Sequence, residues 1–129
     1  MKYIGIDYGT RRIGVALSDE SGSMAFPEKI MENHGLESAA GAIITLAQER
    51  GAEAIVMGES KNYKGEANAV QQEIEVFKKL LEAKLPVYFQ NETMSSAEAA
   101  RSQPQNDTLD ASAAAIILNN FLTRKRLGL

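Results

Sequence analysis

The first eighteen residues constrain the fold more than any other segment. Lys2 to Ser18 reads as a strand, a tight turn and a second strand running back. Ile4 and Ile6 alternate with small or polar neighbours at the two-residue period of a strand, as do Ile13, Val15 and Leu17. Gly9 lies where the backbone must turn, and Arg11 and Arg12 lie in or beside that turn. The first strand delivers a carboxylate, Asp7, to its end. An acid at the end of a buried strand needs hydrogen bonds, a counter-charge or a metal.

The rest of the chain predicts what such a hairpin can pack against. Met24 to Met31 forms a third strand, with Pro27 favouring a sheet edge or a bulge. Leu36, Ala39, Ala40, Ile43, Ile44 and Ala47 then recur at helical spacing, closed by Arg50-Gly51. Ala54 to Gly58 is a short apolar run, the mark of a buried strand. After a polar loop from Glu59 to Gly65, Val70, Ile74, Phe77 and Leu81 mark a second helix, and Pro86 to Phe89 the fifth strand. A short helix is expected around Ser95 to Arg101 and a linker from Ser102 to Asn106. The final helix is expected from about Thr108 to Thr123, with Ala111, Ala114, Ala115, Leu118 and Leu122 on its buried stripe. Three strands joined by hairpins, then two reached through helical crossovers, predict an α/β fold with a five-stranded mixed β-sheet flanked by α-helices.

At 129 residues the chain predicts a single domain spanning 1–129, with a core large enough to need no staples. It has no cysteine, which excludes disulfides and thiolate metal sites. No leader pattern and no membrane-length apolar run is present, so a cytoplasmic protein with no membrane partner is expected. The net charge of −3 argues against a general electrostatic grip on nucleic acid. Most helical acids, Glu73 among them, read as solvated surface, and Arg124-Lys125-Arg126 as a mobile tail that can touch phosphates.

Several acids fall at element ends. Asp7 ends strand one, Glu59 follows strand four and Glu92 follows strand five. Open α/β sheets bind ligands at the carboxyl ends of their strands. Asp107 and Asp110, three apart at the head of the last helix, share one face. Like charges gathered there call for a hard divalent cation, Mg²⁺ or Mn²⁺. With two metals about 3.5–4 Å apart, one activates water and the other stabilises the leaving oxygen, which is the chemistry of phosphodiester hydrolysis. Structural readings stand beside these: Asp107 as an N-cap, Asp110 as a helix-dipole partner and Glu59 as a loop residue. Arg11, Arg12, Lys61 and Lys64 are the candidate phosphate contacts. Tyr8 and Tyr63 are candidates to stack on bases, Tyr8 alternatively packing under the turn. His34 has no triad context and reads as a loop residue.

The run Gly5-Ile6-Asp7-Tyr8-Gly9-Thr10-Arg11-Arg12-Ile13-Gly14-Val15-Ala16 resembles the signature of the YqgF (RuvX) family. Val56-Met57-Gly58, Asn91-Glu92-Thr93 and Asp110-Ala111-Ser112-Ala113-Ala114 follow in the family's order, so the resemblance covers essentially the whole chain. It implies a ribonuclease H-like fold, related to the Holliday junction resolvase RuvC, and metal-dependent cleavage of structured nucleic acid. It further implies a role in 5′-end maturation of pre-16S ribosomal RNA, hence in ribosome biogenesis, with branched DNA as the alternative substrate. By position, Asp7 matches the first-strand metal ligand, Glu92 the glutamate of an Asp-Glu-Arg motif, and Asp110 the aspartate of the last helix. Asp107 with Asp110 is similar to the paired helical aspartates of RuvC. The chain departs from the family pattern at Asn91, at Thr93 and in the loop beginning Glu59-Ser60-Lys61-Asn62. Two other readings remain: a non-catalytic nucleic-acid-binding protein, and a nucleotide-binding module, since Asp7-Tyr8-Gly9-Thr10 also resembles the first phosphate loop of actin-like ATPases. A monomer and a homodimer are both compatible with the sequence.

Overall fold

The structure, a computed structural model, describes residues 1–60, 67–92 and 107–128, with the backbone alone at 59–60, 67–71, 91–92 and 107–112. Its elements in chain order are β1 (Tyr3–Asp7), β2 (Arg12–Ser18), β3 (Ala25–Glu32), α1 (Leu36–Arg50), β4 (Ala54–Ser60), α2 (Ala67–Glu82), β5 (Val87–Glu92) and α3 (Asp107–Leu127). The five strands form one sheet in the order β3-β2-β1-β4-β5. β2 is antiparallel to both β1 and β3, whereas β4 is parallel to β1 and to β5. The mixed sheet expected from hairpins followed by crossovers is the one observed.

β3 is an edge strand, and its pairing with β2 slips between Val15 and Ala16, whose partners are Lys29 and Pro27. Glu28 is the extra residue of this bulge, and its carboxylate receives Arg50 of α1 at 2.8 Å. The proline, which has no N–H to give a ladder, thus sits at an edge and beside a bulge, as its chemistry requires.

Strand alternation divides the core between the two faces of the sheet. Ile4, Ile6, Ile13, Val15, Ile55 and Met57 pack with α1 and α2 residues such as Ile43, Ala47, Phe77 and Leu81. Tyr3, Ala16, Ala54 and Val56 face the other way, against Ala114, Ile117, Leu118 and Leu122 of α3. Each fully buried Ile or Leu contributes roughly 1.5–3 kcal/mol, so both layers matter to stability.

α3 lies unusually close to the sheet because glycines lie beneath it. A Cβ added at Gly5 would stand 2.8 Å from Leu118 Cβ and 3.2 Å from the Ala114 carbonyl oxygen. One added at Gly58 would run into the Ile117 side chain. Asn119 secures the far side of the helix, its Oδ1 accepting from the Ala25 N–H at 3.0 Å.

Two segments differ from the sequence expectation. α3 continues through Arg124, Lys125 and Arg126, which form its last turn rather than a mobile tail. All three are good helix formers, and their charge complements the carbonyl end of the helix dipole. The ladder between β4 and β5 also extends beyond the apolar runs, pairing Glu59 with Asn91 and Ser60 with Glu92. The expected helix at 95–101 and linker at 102–106 lie outside the described residues.

Candidate functional site

Asp7 is half-buried at the end of β1, paired across the sheet with Gly14. The turn that follows is held by close packing and hydrogen bonds. A side chain on Gly9 would collide with the Arg12 carbonyl oxygen, so the chain there tolerates only glycine's bare backbone. Arg11 and Arg12 are exposed on the outer side of this turn.

Tyr8 does not lie on the surface, where base stacking would put it. It is 4% exposed, with its ring 5.0 Å from that of Phe77 in α2. Its hydroxyl donates to Glu73 Oε1 at 2.7 Å and accepts from Asn33 Nδ2 at 3.2 Å. The same Asn33 amide donates to the Gly9 carbonyl at 2.9 Å. Burial, followed by the hydrogen bond to Glu73, pushes the Tyr8 phenol up to about 12. Buried and with its hydroxyl engaged, Tyr8 has no surface to offer a base. It instead pins the Asp7 turn to α2 and to the end of β3. Glu73 and Asn33 are the residues that sequence reasoning missed. Glu73 read as one more solvated helical acid, and no local signal links either to a tyrosine 65 or 25 positions away.

Backbone register locates the other acids. Strand parity puts position 7 with Tyr3 and Gly5 on the α3 side of the sheet. On β5, Tyr88 meets Phe121 of α3, so positions 90 and 92 share that side. On β4, positions 55 and 57 belong to the opposite, α1–α2 side, and position 59 falls in step with them. Along α3, Phe121 packs edge-on against Tyr3, while Leu118 and Ala114 lie over Gly5. The helix therefore runs antiparallel to β1. Two strand residues advance about 6.6 Å and four helical residues about 6 Å, so the first turn of α3, which holds positions 107 and 110, lies beyond the end of β1 at which position 7 stands. Asp107 is the first residue of the helix, a position three before Asp110 on the same side. Lys61, Lys64, Tyr63 and Thr93 lie outside the described residues. His34 is exposed before α1, with Nε2 3.2 Å from Glu32, as expected of a loop residue.

Residues 1–124 match the profile of the family described as RuvX, Holliday junction resolvase. The chain belongs to the RuvX family. Among relatives, a protein of Nitratidesulfovibrio vulgaris strain Miyazaki F named "Putative pre-16S rRNA nuclease" is 36% identical, over 95% of this chain and 93% of its own. A protein of Desulforudis audaxviator with the same name is 30% identical over 99% and 98%. Among solved structures, Thermus thermophilus RuvC in complex with a Holliday junction substrate aligns with a TM-score of 0.64 at 18% identity, covering 99% of this chain and 96% of that one. The fowlpox virus Holliday junction resolvase aligns with a TM-score of 0.56 at 14% identity, covering 95% and 99%. These likenesses establish the ribonuclease H-like resolvase fold expected from the opening motif. Among the described residues no helix is long and apolar enough to cross a membrane.

Proposed function

We propose that this RuvX-family protein is a metal-dependent nuclease that hydrolyses phosphodiester bonds in structured RNA, with the precursor of 16S ribosomal RNA as substrate. The observation that carries the reading is that strand parity sets positions 7 and 92 on the α3 side of the sheet, toward the end of β1 at which α3 begins. The name shared by full-length relatives supports the RNA substrate.

The donor chemistry fits a hard cation. The candidate ligands are carboxylates, the chain has no cysteine, and its one histidine is exposed and paired with Glu32. Asp7, Glu92 and Asp110 would hold Mg²⁺ or Mn²⁺, as one ion or a pair, with Asp107 as an additional acid at the same helix end. When bound, such a cation makes water a better nucleophile at neutral pH and stabilises charge on the leaving oxygen. Glu59, in step with the opposite side of the sheet, is left out of this set.

The protein's own residues hold Asp7 in place and position the substrate. The Tyr8–Glu73–Asn33 bonds fix the turn after Asp7, so its carboxylate needs little reorganisation when a phosphate arrives. Arg11 and Arg12, exposed after Asp7, would hold backbone phosphates, and Lys61 and Lys64, which follow β4 in the sequence, would add to them. The family's description favours a second reading, cleavage of four-way DNA junctions.

Wild type and Asp7→Asn should be assayed on pre-16S rRNA and on a four-way DNA junction, each with Mg²⁺, Mn²⁺ or EDTA. Metal-dependent cutting of the RNA that disappears in the variant is the expected result. Preferential cutting of the junction would move the protein to the second reading. Two folded but inactive proteins would refute the nuclease.

A further inference from the structure

The α3 side of the sheet is covered unevenly. α3 packs mainly across β3, β2 and β1, leaving the same face of the β5 edge strand largely open. A depression of about 320 Å³ occupies that open strip, lined by Tyr3, Tyr88, Gln90, Phe121, Arg124 and Lys125. It lies on the face that carries positions 7 and 92. Tyr88 and position 92 are four residues apart on one strand, roughly 13 Å.

The lining has two unusual properties. Tyr88 is 43% exposed, a large aromatic ring left open to solvent on a sheet face. Phe121 supports it from one side, with centroids 5.6 Å apart and planes tilted by 32°, and Phe121 is braced in turn by Tyr3 at 5.5 Å. The ring is therefore held in place while part of it stays free. Exposed Arg124 and Lys125 stand at the rim, a local concentration of positive charge on a chain whose net charge is −3. Helix-dipole complementation accounts for basic residues at this helix end, but not for an open aromatic ring beside them.

A supported aromatic face flanked by cations matches the needs of an unpaired nucleic-acid strand: a platform for a base and partners for its phosphates. We propose that this groove binds the single-stranded RNA that continues from the cleavage site, with Tyr88 stacking on a base and Arg124 and Lys125 holding phosphates. At the stacked spacing of 3.4 Å, the distance to position 92 corresponds to about four nucleotides. The assignment rests on the nuclease reading for the direction in which the strand runs. The groove's affinity for unpaired RNA is independent of any cutting.

Binding of a fluorescein-labelled oligouridylate to the full chain, followed by anisotropy in EDTA across a salt series, tests it. Tyr88→Ala should weaken binding roughly tenfold, and Tyr88→Phe, which keeps the ring, should bind as wild type does. R124E/K125E should weaken binding and flatten the log–log salt slope by about 1.4, the loss of two single-strand phosphate contacts. Circular dichroism confirms that each variant is folded. The proposal is overturned if wild type does not bind oligouridylate at low salt, or if Tyr88→Ala and R124E/K125E bind as well as wild type. Cleavage of pre-16S rRNA, measured in parallel, separates the two ideas. Cutting by wild type with unchanged binding in the variants removes the groove and keeps the nuclease, whereas variant-sensitive binding without any cutting does the reverse.

Discussion

Substituting Gly5 by alanine adds one methyl group where α3 crosses β1. That carbon would stand 2.8 Å from Leu118 Cβ and 3.2 Å from the Ala114 carbonyl oxygen. Carbon–carbon contacts relax to about 3.5–4.0 Å, so the helix must withdraw by roughly 0.7 Å or more. Neither obstructing atom can escape by changing rotamer: one is main chain, and the other is fixed to it by a single bond. Overpacking of this kind costs about 1–3 kcal/mol. The chain has no tryptophan, so urea unfolding is best followed by far-ultraviolet circular dichroism. With a slope near 2 kcal/mol per molar, the midpoint should fall by roughly 0.5–1.5 M. Adding Leu118→Ala should bring no rescue, since the Cβ that clashes remains. The folded fraction should also cleave about a hundredfold more slowly, because the displaced helix carries Asp110 and misplacement near 1 Å has that order of effect. A midpoint within about 0.25 M of wild type, or recovery in the double variant, would refute the close packing of α3 on β1.

Two more substitutions probe the site itself. Tyr8→Phe should lower stability by about 1–2 kcal/mol near neutral pH, since Glu73 and Asn33 lose the hydroxyl between them. The phenol is raised from 10.0 to about 12, so the folded state resists its ionisation. This contribution is complete below pH 10 and declines as pH rises toward 12, and the wild-type minus Tyr8→Phe difference in urea midpoint should shrink over that window. A difference that stays constant or grows there would contradict the buried, hydrogen-bonded phenol. Glu92→Gln should abolish cleavage as Asp7→Asn does, whereas Glu59→Ala should retain it within a few-fold; the opposite pattern in a pre-16S rRNA assay would overturn the strand-parity assignment.

How much of this was legible beforehand varies by element. The β1–β2 hairpin, β4, β5 and the apolar stripes of the described helices, apart from Val70 and Ala111, whose side chains lie outside the described residues, follow from hydrophobic period, which depends only on neighbours in sequence. Pro27 signalled both an edge and a bulge because a missing N–H has the same consequence in any sheet. Strand ends were less legible. Glu59 and Glu92 belong to β4 and β5, since a parallel ladder is closed by backbone groups and does not need apolar side chains to continue. The basic residues after Thr123 likewise extend α3, where local helix propensity and the dipole outweigh their polarity.

The sequence by itself determined which residues were candidates for chemistry: a carboxylate at the end of the first strand, four more acids (Glu59, Glu92, Asp107 and Asp110) later in the chain, and no cysteine. It also determined the alternation that builds a mixed sheet between helices. Only the tertiary structure decided which of those positions share a face of the sheet. Parity turns on a single residue, and one step moves a position to the other face of the sheet, so position 59 falls in step with the α1–α2 side while positions 7 and 92 fall in step with the α3 side. The burial of Tyr8 under Glu73 and Asn33, and the open aromatic ring of Tyr88 beside Arg124 and Lys125, arise from contacts between segments far apart in the chain. Local pattern carries no record of such contacts, because they exist only once α2 and α3 have packed on opposite faces of the sheet.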